Sequence, residues 1–302
     1  LVSGNNVTVE ASKKPIQPRS KMIFGNKPTD GGYLFLTQEE KEYLESNEPY
    51  STQFIKPVLG AKEFLHGEQR WCLWFEEADL DELMKYPLIK QRLEGVKQKR
   101  AESDAQSTRD YAKYPHLFRQ IAQPKSGNYI LVPGVTSERR QYVPIGFYGY
   151  EVIATNLVNI IPNGTIYDFA ILTSLIHNDW MRLVTGRLES RYRYTSTIVY
   201  NTFPFPNTTD AQKQKIENLA EEILLARASN AGMTLAELYD PDKMPEDLKK
   251  AHSNLDEAVD KLYRPQGFAN TEERLAHLLA RYEQLIKAEK QSKAKKKTKQ
   301  SK

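Results

Sequence analysis

A chain of 302 residues with 43 basic and 39 acidic side chains carries a formal charge of +4. A single cysteine, Cys72, excludes an internal disulfide and any cysteine-rich zinc site, and the five histidines (His66, His116, His177, His252, His277) show no ligand spacing. No uninterrupted apolar run is long enough to cross a bilayer, so no membrane partner is expected, and the cysteine usage fits a reducing cytoplasm.

The start, Leu1, Val2, Ser3, Gly4, is neither a signal peptide nor an initiator methionine, and the expectation is the C-terminal part of a longer polypeptide. Residues 1–36 are rich in Pro, Gly and Asn, which predicts short strands and turns forming a junction. Thr37 with Glu40 is a capping box, predicting a helix from about Gln38 to Ser46. Arg70 to Glu76 alternates as a buried strand, and Asp79 to Lys85 and Pro87 to about Ser103 are predicted helices. Tyr129 to Val132, Tyr142 to Tyr148 and Val158 to Ile161 are apolar, β-branched runs and predict strands. Tyr167 to Val184 has helical length, with Gly186 placed to cap its C-terminus. Beyond Pro206 the pattern is helical throughout, opening with a second capping box at Thr209 and Gln212.

The predicted fold class is α+β. A mixed sheet-and-helix domain covers residues 37–206, a small all-α domain covers 207–289, and a disordered lysine-rich tail covers 290–302. Charge follows the same division. Residues 287 to 302 hold eight lysines against Glu289, a net of +7, so the remainder of the chain is at −3. The tail makes the chain basic, either as a non-specific polyanion contact or as a solubilising segment.

The distribution of cation type is more informative. None of the 27 lysines lies between Lys125 and Lys213, where every cation is an arginine: Arg139, Arg140, Arg182, Arg187, Arg191, Arg193. Planar, bidentate recognition of bases and phosphates prefers arginine. From Gly186 to Tyr194 the sequence reads Gly, Arg, Leu, Glu, Ser, Arg, Tyr, Arg, Tyr. In one extended strand it would put Glu189, Arg191 and Arg193 on one face, with Tyr192 and Tyr194 turned to the core. A carboxylate accepts from the N4 amine of cytosine and a guanidinium bonds bidentately to guanine, so Glu189 and Arg191 together match a C·G pair. The same residues also fit a solvated strand with an in-face ion pair.

This strand is followed by Tyr200, Asn201, Thr202, Phe203, Pro204, Phe205, Pro206, and the combination resembles the MmeI-like DNA methyltransferases, type II restriction-modification enzymes of the IIG/IIL kind. Further blocks carry the resemblance in order: Met22 to Asn26 through Asp30, Gly31, Gly32; Arg70 to Trp74; Ser137 to Pro144; and Leu238 to Pro241 with Met244, Pro245, Ala251, His252, Leu255 and Asp256. The resemblance implies the recognition region of an adenine-specific (N6) DNA methyltransferase, in a restriction-modification or phage-defence system. Its partners would be double-stranded DNA and a methyltransferase domain of the same polypeptide. S-adenosylmethionine would be the parent's cofactor, with Mg added if a nuclease domain exists. Arg193, with a residue between Ala154 and Asn159, would read a second base pair, Leu157 and Asn159 being the candidates. Ser137, Arg139, Arg140, Arg187 and Lys125 would contact the DNA backbone.

Catalytic chemistry is not expected within these residues. There is no Gly-rich turn for S-adenosylmethionine, and Asn201, Thr202, Phe203, Pro204, Phe205 lacks the proline after Asn that an adenine-holding motif requires. Pro241, Asp242 with Asp247, Leu248, Lys249 mimics a nuclease metal site, but its halves are too close to fall on adjacent strands. The alternative function is a non-catalytic scaffold or protein-interaction module with general polyanion affinity.

Overall fold

A computed structural model describes the backbone of residues 7–300 and the side chains of residues 7–292. Leu1 to Gly4 and the side chains of the last lysines lie outside the described residues. The fold is α+β, and the chain divides into two compact units. One comprises Leu1–Met22, Val132–Gly146 and Ile161–Lys302; the other comprises Ile23–Leu131 and Phe147–Ile160.

The second of these is built on sheets. A four-stranded sheet runs in the order Phe35–Leu36, Trp71–Leu73, Ile55–Leu59, Ile153–Ala154, antiparallel except for the last pair. Strand Ile23–Phe24 pairs with Val158–Pro162, Ile23 opposite Ile160 and Phe24 opposite Asn159. Helix Gln38–Asn47 begins as its capping box predicts, with the Glu40 amide donating to Thr37 Oγ1 at 3.2 Å and the Thr37 amide to Glu40 Oε2 at 2.8 Å. Helix Pro87–Ala101 buries Ile89, Leu93 and Val96, which recur at helical spacing and pack into the core with Leu34, Leu36, Leu73 and Phe75. Arg100 on that helix is fully buried and, among the described residues, has no carboxylate partner. It donates instead to the carbonyls of Thr29, Pro28, Tyr114 and Leu117 at 2.7–2.8 Å, which bridges the helix to two loops.

The other unit is mainly helical. The single helix predicted for 167–184 is two, Ile166–Thr173 and Leu175–Val184, because Ser174 is extended between them. Ser174 donates its hydroxyl to the Ile171 carbonyl, and its own carbonyl accepts from the Asn178 side chain at 2.8 Å. A residue of this kind competes with the helical ladder and starts a new one. Helices Asp210–Ser229 and Glu246–Tyr263 pack together, burying Ile216, Ala220 and Ile223 on one and Leu248, Leu255 and Val259 on the other. Trp180 meets Tyr282 of helix Thr271–Gln300 at 5.9 Å between ring centroids.

Two expectations change here. The strand predicted for 142–148 is a strand only over Gly146–Gly149. Before it, Tyr142 donates to Asp256 at 2.6 Å, the Val143 amide to Asn178 at 2.8 Å, and Arg227 to the Ile145 carbonyl at 2.7 Å. Side chains thus satisfy a buried segment without a ladder. Helix Ile166–Thr173 packs on Asp210–Ser229 and Leu175–Val184 packs on Thr271–Gln300, so residues on both sides of the boundary expected at 206 lie in one compact unit. The segment expected to be disordered from 290 has helical backbone as far as Gln300. Its Lys, Ala and Gln residues are all strong helix formers.

Candidate nucleic-acid interface

The arginine-rich segment is a hairpin rather than one strand. Arg187–Leu188 and Arg191–Arg193 pair antiparallel, Arg187 opposite Tyr192 and Leu188 opposite Arg191. The second strand also pairs with Val135–Thr136, Tyr192 opposite Thr136 and Arg193 opposite Val135. Reversal within the two-residue loop Glu189, Ser190 requires a left-handed residue, and Glu189 supplies it at φ 57°. A side-chain-bearing residue pays roughly 1 kcal/mol or more there. Glu189 therefore sits at the hairpin tip, not on the strand face that the spacing predicted. Its carboxylate still meets Arg191, at 2.7 Å from Nη2, with the two side chains 76% and 49% exposed.

The base of the hairpin is fixed while its tip is free of packing. Helix Leu175–Val184 ends on Thr185 in extended conformation, not on a left-handed Gly186. The Thr185 hydroxyl donates to the Arg193 carbonyl, and the Arg193 amide donates to the Gly186 carbonyl at 3.1 Å. Tyr194, buried as predicted, donates its amide to the Gly134 carbonyl at 2.9 Å, and its hydroxyl lies 2.8 Å from His177 Nε2. Burial pulls His177 down to a pKa of about 3, so the imidazole is neutral and holds the tyrosine by a hydrogen bond alone. The edge of Phe203 closes over the His177 ring at 4.5 Å. This clamp is a feature the sequence did not disclose, because nothing in the spacing of His177 and Tyr194 marks them as partners.

The other expected contacts divide by accessibility. Arg193 is exposed on the hairpin, whereas Arg187 stacks over the Tyr192 ring at 4.8 Å and donates to its hydroxyl at 3.2 Å. Tyr192 is consequently half-buried beneath an arginine instead of lying in the core. Arg139 is exposed but ion-paired with Asp242, one member of the nuclease-like motif. The Ser137 hydroxyl accepts from the Arg139 amide at 3.2 Å, and Arg140 is partly buried, its own carbonyl and that of Gln141 accepting from the Arg182 guanidinium. Lys125 is exposed yet bound to Glu76 at 2.8 Å and Glu77 at 3.4 Å, and the Glu76 hydrogen bond holds its ammonium above the usual lysine range. The DNA-backbone contact expected of Lys125 would have to displace these carboxylates, as that of Arg139 would displace Asp242.

Leu157 and Asn159 belong to the sheet-built unit. Leu157 is exposed and accessible to a ligand, but Asn159 is fully buried in strand Val158–Pro162, which corrects its assignment as a base reader in this conformation. The strand's neighbours Val158, Ile160 and Ile161 are buried with it. Asn201, in the segment that superficially resembles an adenine-holding motif, is buried and donates to the Ser12 carbonyl at 2.8 Å. It holds the chain's own N-terminal segment and does not fit a flipped base or S-adenosylmethionine. Among the described residues no group of His, Cys, Asp or Glu is arranged to hold a metal ion, and no helix is long and apolar enough to cross a membrane.

The hairpin, clamped at its base, presents one carboxylate and several guanidiniums, the groups with which a recognition module reads bases. The family assignment agrees. Residues 3–207 match the family model "MmeI, target recognition domain" and residues 208–289 match "MmeI, C-terminal domain", so the chain belongs to the MmeI family. It is 40% identical over 286 residues to "DNA methyltransferase A" of Bacillus subtilis (strain 168), covering 94% of this chain and 32% of that protein. It is also similar to the structure titled "Structure of Type IIL restriction-modification enzyme MmeI in complex with DNA has implications for engineering of new specificities". That match has a TM-score of 0.91 and 41% identity, over 94% of this chain and 38% of the other. The chain thus spans about a third of the length of these relatives.

Proposed function

We propose that this chain is the sequence-reading part of a DNA methyltransferase of a restriction-modification system. It would hold a duplex in register while a methyltransferase domain of the same polypeptide modifies adenine at N6 with S-adenosylmethionine. The observation that carries this reading is the hairpin tip, where Glu189 and Arg191 are paired and exposed on a fixed base. Without DNA they satisfy each other. In a major groove the carboxylate would turn to the cytosine N4 amine and the guanidinium to guanine O6 and N7, trading one charged contact for two base contacts. Arg193, on the same hairpin, would address a second pair and Leu157 would touch a base, while Arg187, Arg139, Arg140 and Ser137 would contact phosphates. Similarity to the MmeI complex with DNA and to the Bacillus subtilis methyltransferase supports DNA as the ligand and methylation as the parent's reaction. The cytoplasm is the compartment in which such an enzyme meets its DNA, and a nuclease domain in the parent would add Mg.

Selection from a pool of randomised duplexes by the purified chain, at moderate salt, tests the reading. Enrichment of one short motif containing a C·G pair supports it. Uniform retention of all sequences, lost together as salt rises, would instead favour a scaffold with general polyanion affinity.

A further inference from the structure

Residues directly opposite one another in an antiparallel pair share a face, and alternate residues of one strand do likewise. The register therefore sorts the hairpin. Arg187, Tyr192 and Thr136 lie on one face, where Thr136 is buried and Tyr192 carries the stacked Arg187. Leu188, Arg191 and Arg193 lie on the other, with Glu189 joined to them through its ion pair. Leu188 is thus an apolar side chain set among the polar groups of the reading face, and it is 46% exposed. An isolated exposed leucine is ordinary on a protein surface. Here the strand has only two residues, and the left-handed turn at Glu189 follows it directly, so Leu188 is carried wherever the Glu189 and Arg191 pair goes.

We propose that Leu188 is a further specificity-determining residue, which selects a thymine by contact with its C5 methyl group beside the C·G pair read by Glu189 and Arg191. This rests on the DNA-reading role proposed above. A side chain with no donor or acceptor leaves the amine and carbonyl edges of other bases unsatisfied, whereas the methyl is the one apolar group in the major groove. The Cβ atoms of Leu188 and Arg191, as an opposed pair, are about 5 Å apart. Successive bases on a strand are about 3.4 Å apart. The thymine therefore lies within two base steps of the C·G pair.

The test uses the whole chain and the motif it selects from randomised duplexes. Each thymine of that motif is replaced in turn by deoxyuridine, which removes only the methyl group, and affinity is measured for the wild-type chain and for Leu188→Ala. One thymine, within two steps of the C·G pair, is expected to weaken wild-type binding about four-fold when its methyl is lost. The same replacement is expected to have no effect on Leu188→Ala, whose binding to C·G duplexes over other pairs at that position stays intact. No sensitive thymine within two steps, or an equal uracil effect in Leu188→Ala, overturns the proposal and leaves the DNA-reading role standing. Failure of the wild-type chain to select any motif overturns both.

Discussion

Replacing Glu189 separates the hairpin's stability from its reading. Two variants are informative, Glu189→Gly and Glu189→Gln. Glycine relieves the φ 57° conformation, a gain of about 1 kcal/mol, but loosens the unfolded chain by roughly 0.5–1 kcal/mol. Both variants lose an exposed ion pair worth about 0.2–1 kcal/mol. These effects nearly cancel for Glu189→Gly, so its stability in urea is expected within about 1 kcal/mol of wild type. Glu189→Gln keeps the strained backbone and should be slightly the less stable of the two. Binding behaves differently, because Glu189→Gly loses the acceptor for cytosine N4 and Glu189→Gln keeps only a neutral carbonyl in place of the carboxylate. Affinity for the selected duplex is expected to fall by about 1–3 kcal/mol, from about five-fold to over a hundred-fold, with no comparable loss on non-specific DNA. Fluorescence anisotropy on matched and mismatched duplexes measures this. If both variants bind the matched duplex within two-fold of wild type, the carboxylate is only a surface partner of Arg191 and the reasoning fails.

Other consequences follow from the clamp, from a buried acid and from the tail. Tyr194→Phe leaves His177 Nε2 without its partner in a buried site, and should lower stability by about 1–3 kcal/mol while selectivity among duplexes broadens; an unchanged urea midpoint would contradict the clamp. Burial raises Asp256 to a pKa of about 7, against the opposing hydrogen bonds from Tyr142 and the Leu175 amide. A carboxyl raised in the folded state contributes stability below the unfolded carboxylate range and loses it as pH rises toward 7. Asp256→Asn should therefore gain on wild type progressively between pH 4 and pH 7, and parallel stability curves would refute this. Deleting residues 290–302 removes seven lysines and should weaken all duplexes alike and flatten the salt slope; a changed sequence preference would show that the tail reads bases.

The sequence disclosed most where local chemistry decides the outcome. The capping boxes at Thr37 with Glu40 and Thr209 with Gln212 start their helices as the spacing predicts, because the side-chain and backbone partners are three residues apart. The blocks from Met22 to Asp256 likewise carried the family. What was missed depends on distant partners. Ser174 breaks a helix whose apolar pattern runs straight through it, and Tyr142 to Ile145 look like a strand but are satisfied by Asp256, Asn178 and Arg227. The hairpin was hidden because its loop is Glu, Ser rather than the Asn-Gly or Asp-Gly that announces a tight reversal. For the site, residue identity was legible while exposure was not: Asn159 reads as polar yet is buried, and Lys125 reads as a free cation yet is held by two glutamates.

The central claim is that Glu189 and Arg191 together specify one C·G pair. Exchanging their charges, Glu189→Lys with Arg191→Asp, in the full-length parent protein and sequencing the methylome of cells that express it, tests this most directly. The predicted result is a methylated motif in which that one pair is inverted to G·C and all other positions are kept, since lysine now meets guanine and aspartate meets cytosine. Methylation of the unchanged motif at the wild-type level would contradict it, and would leave the two residues as an exposed ion pair at the tip of a hairpin.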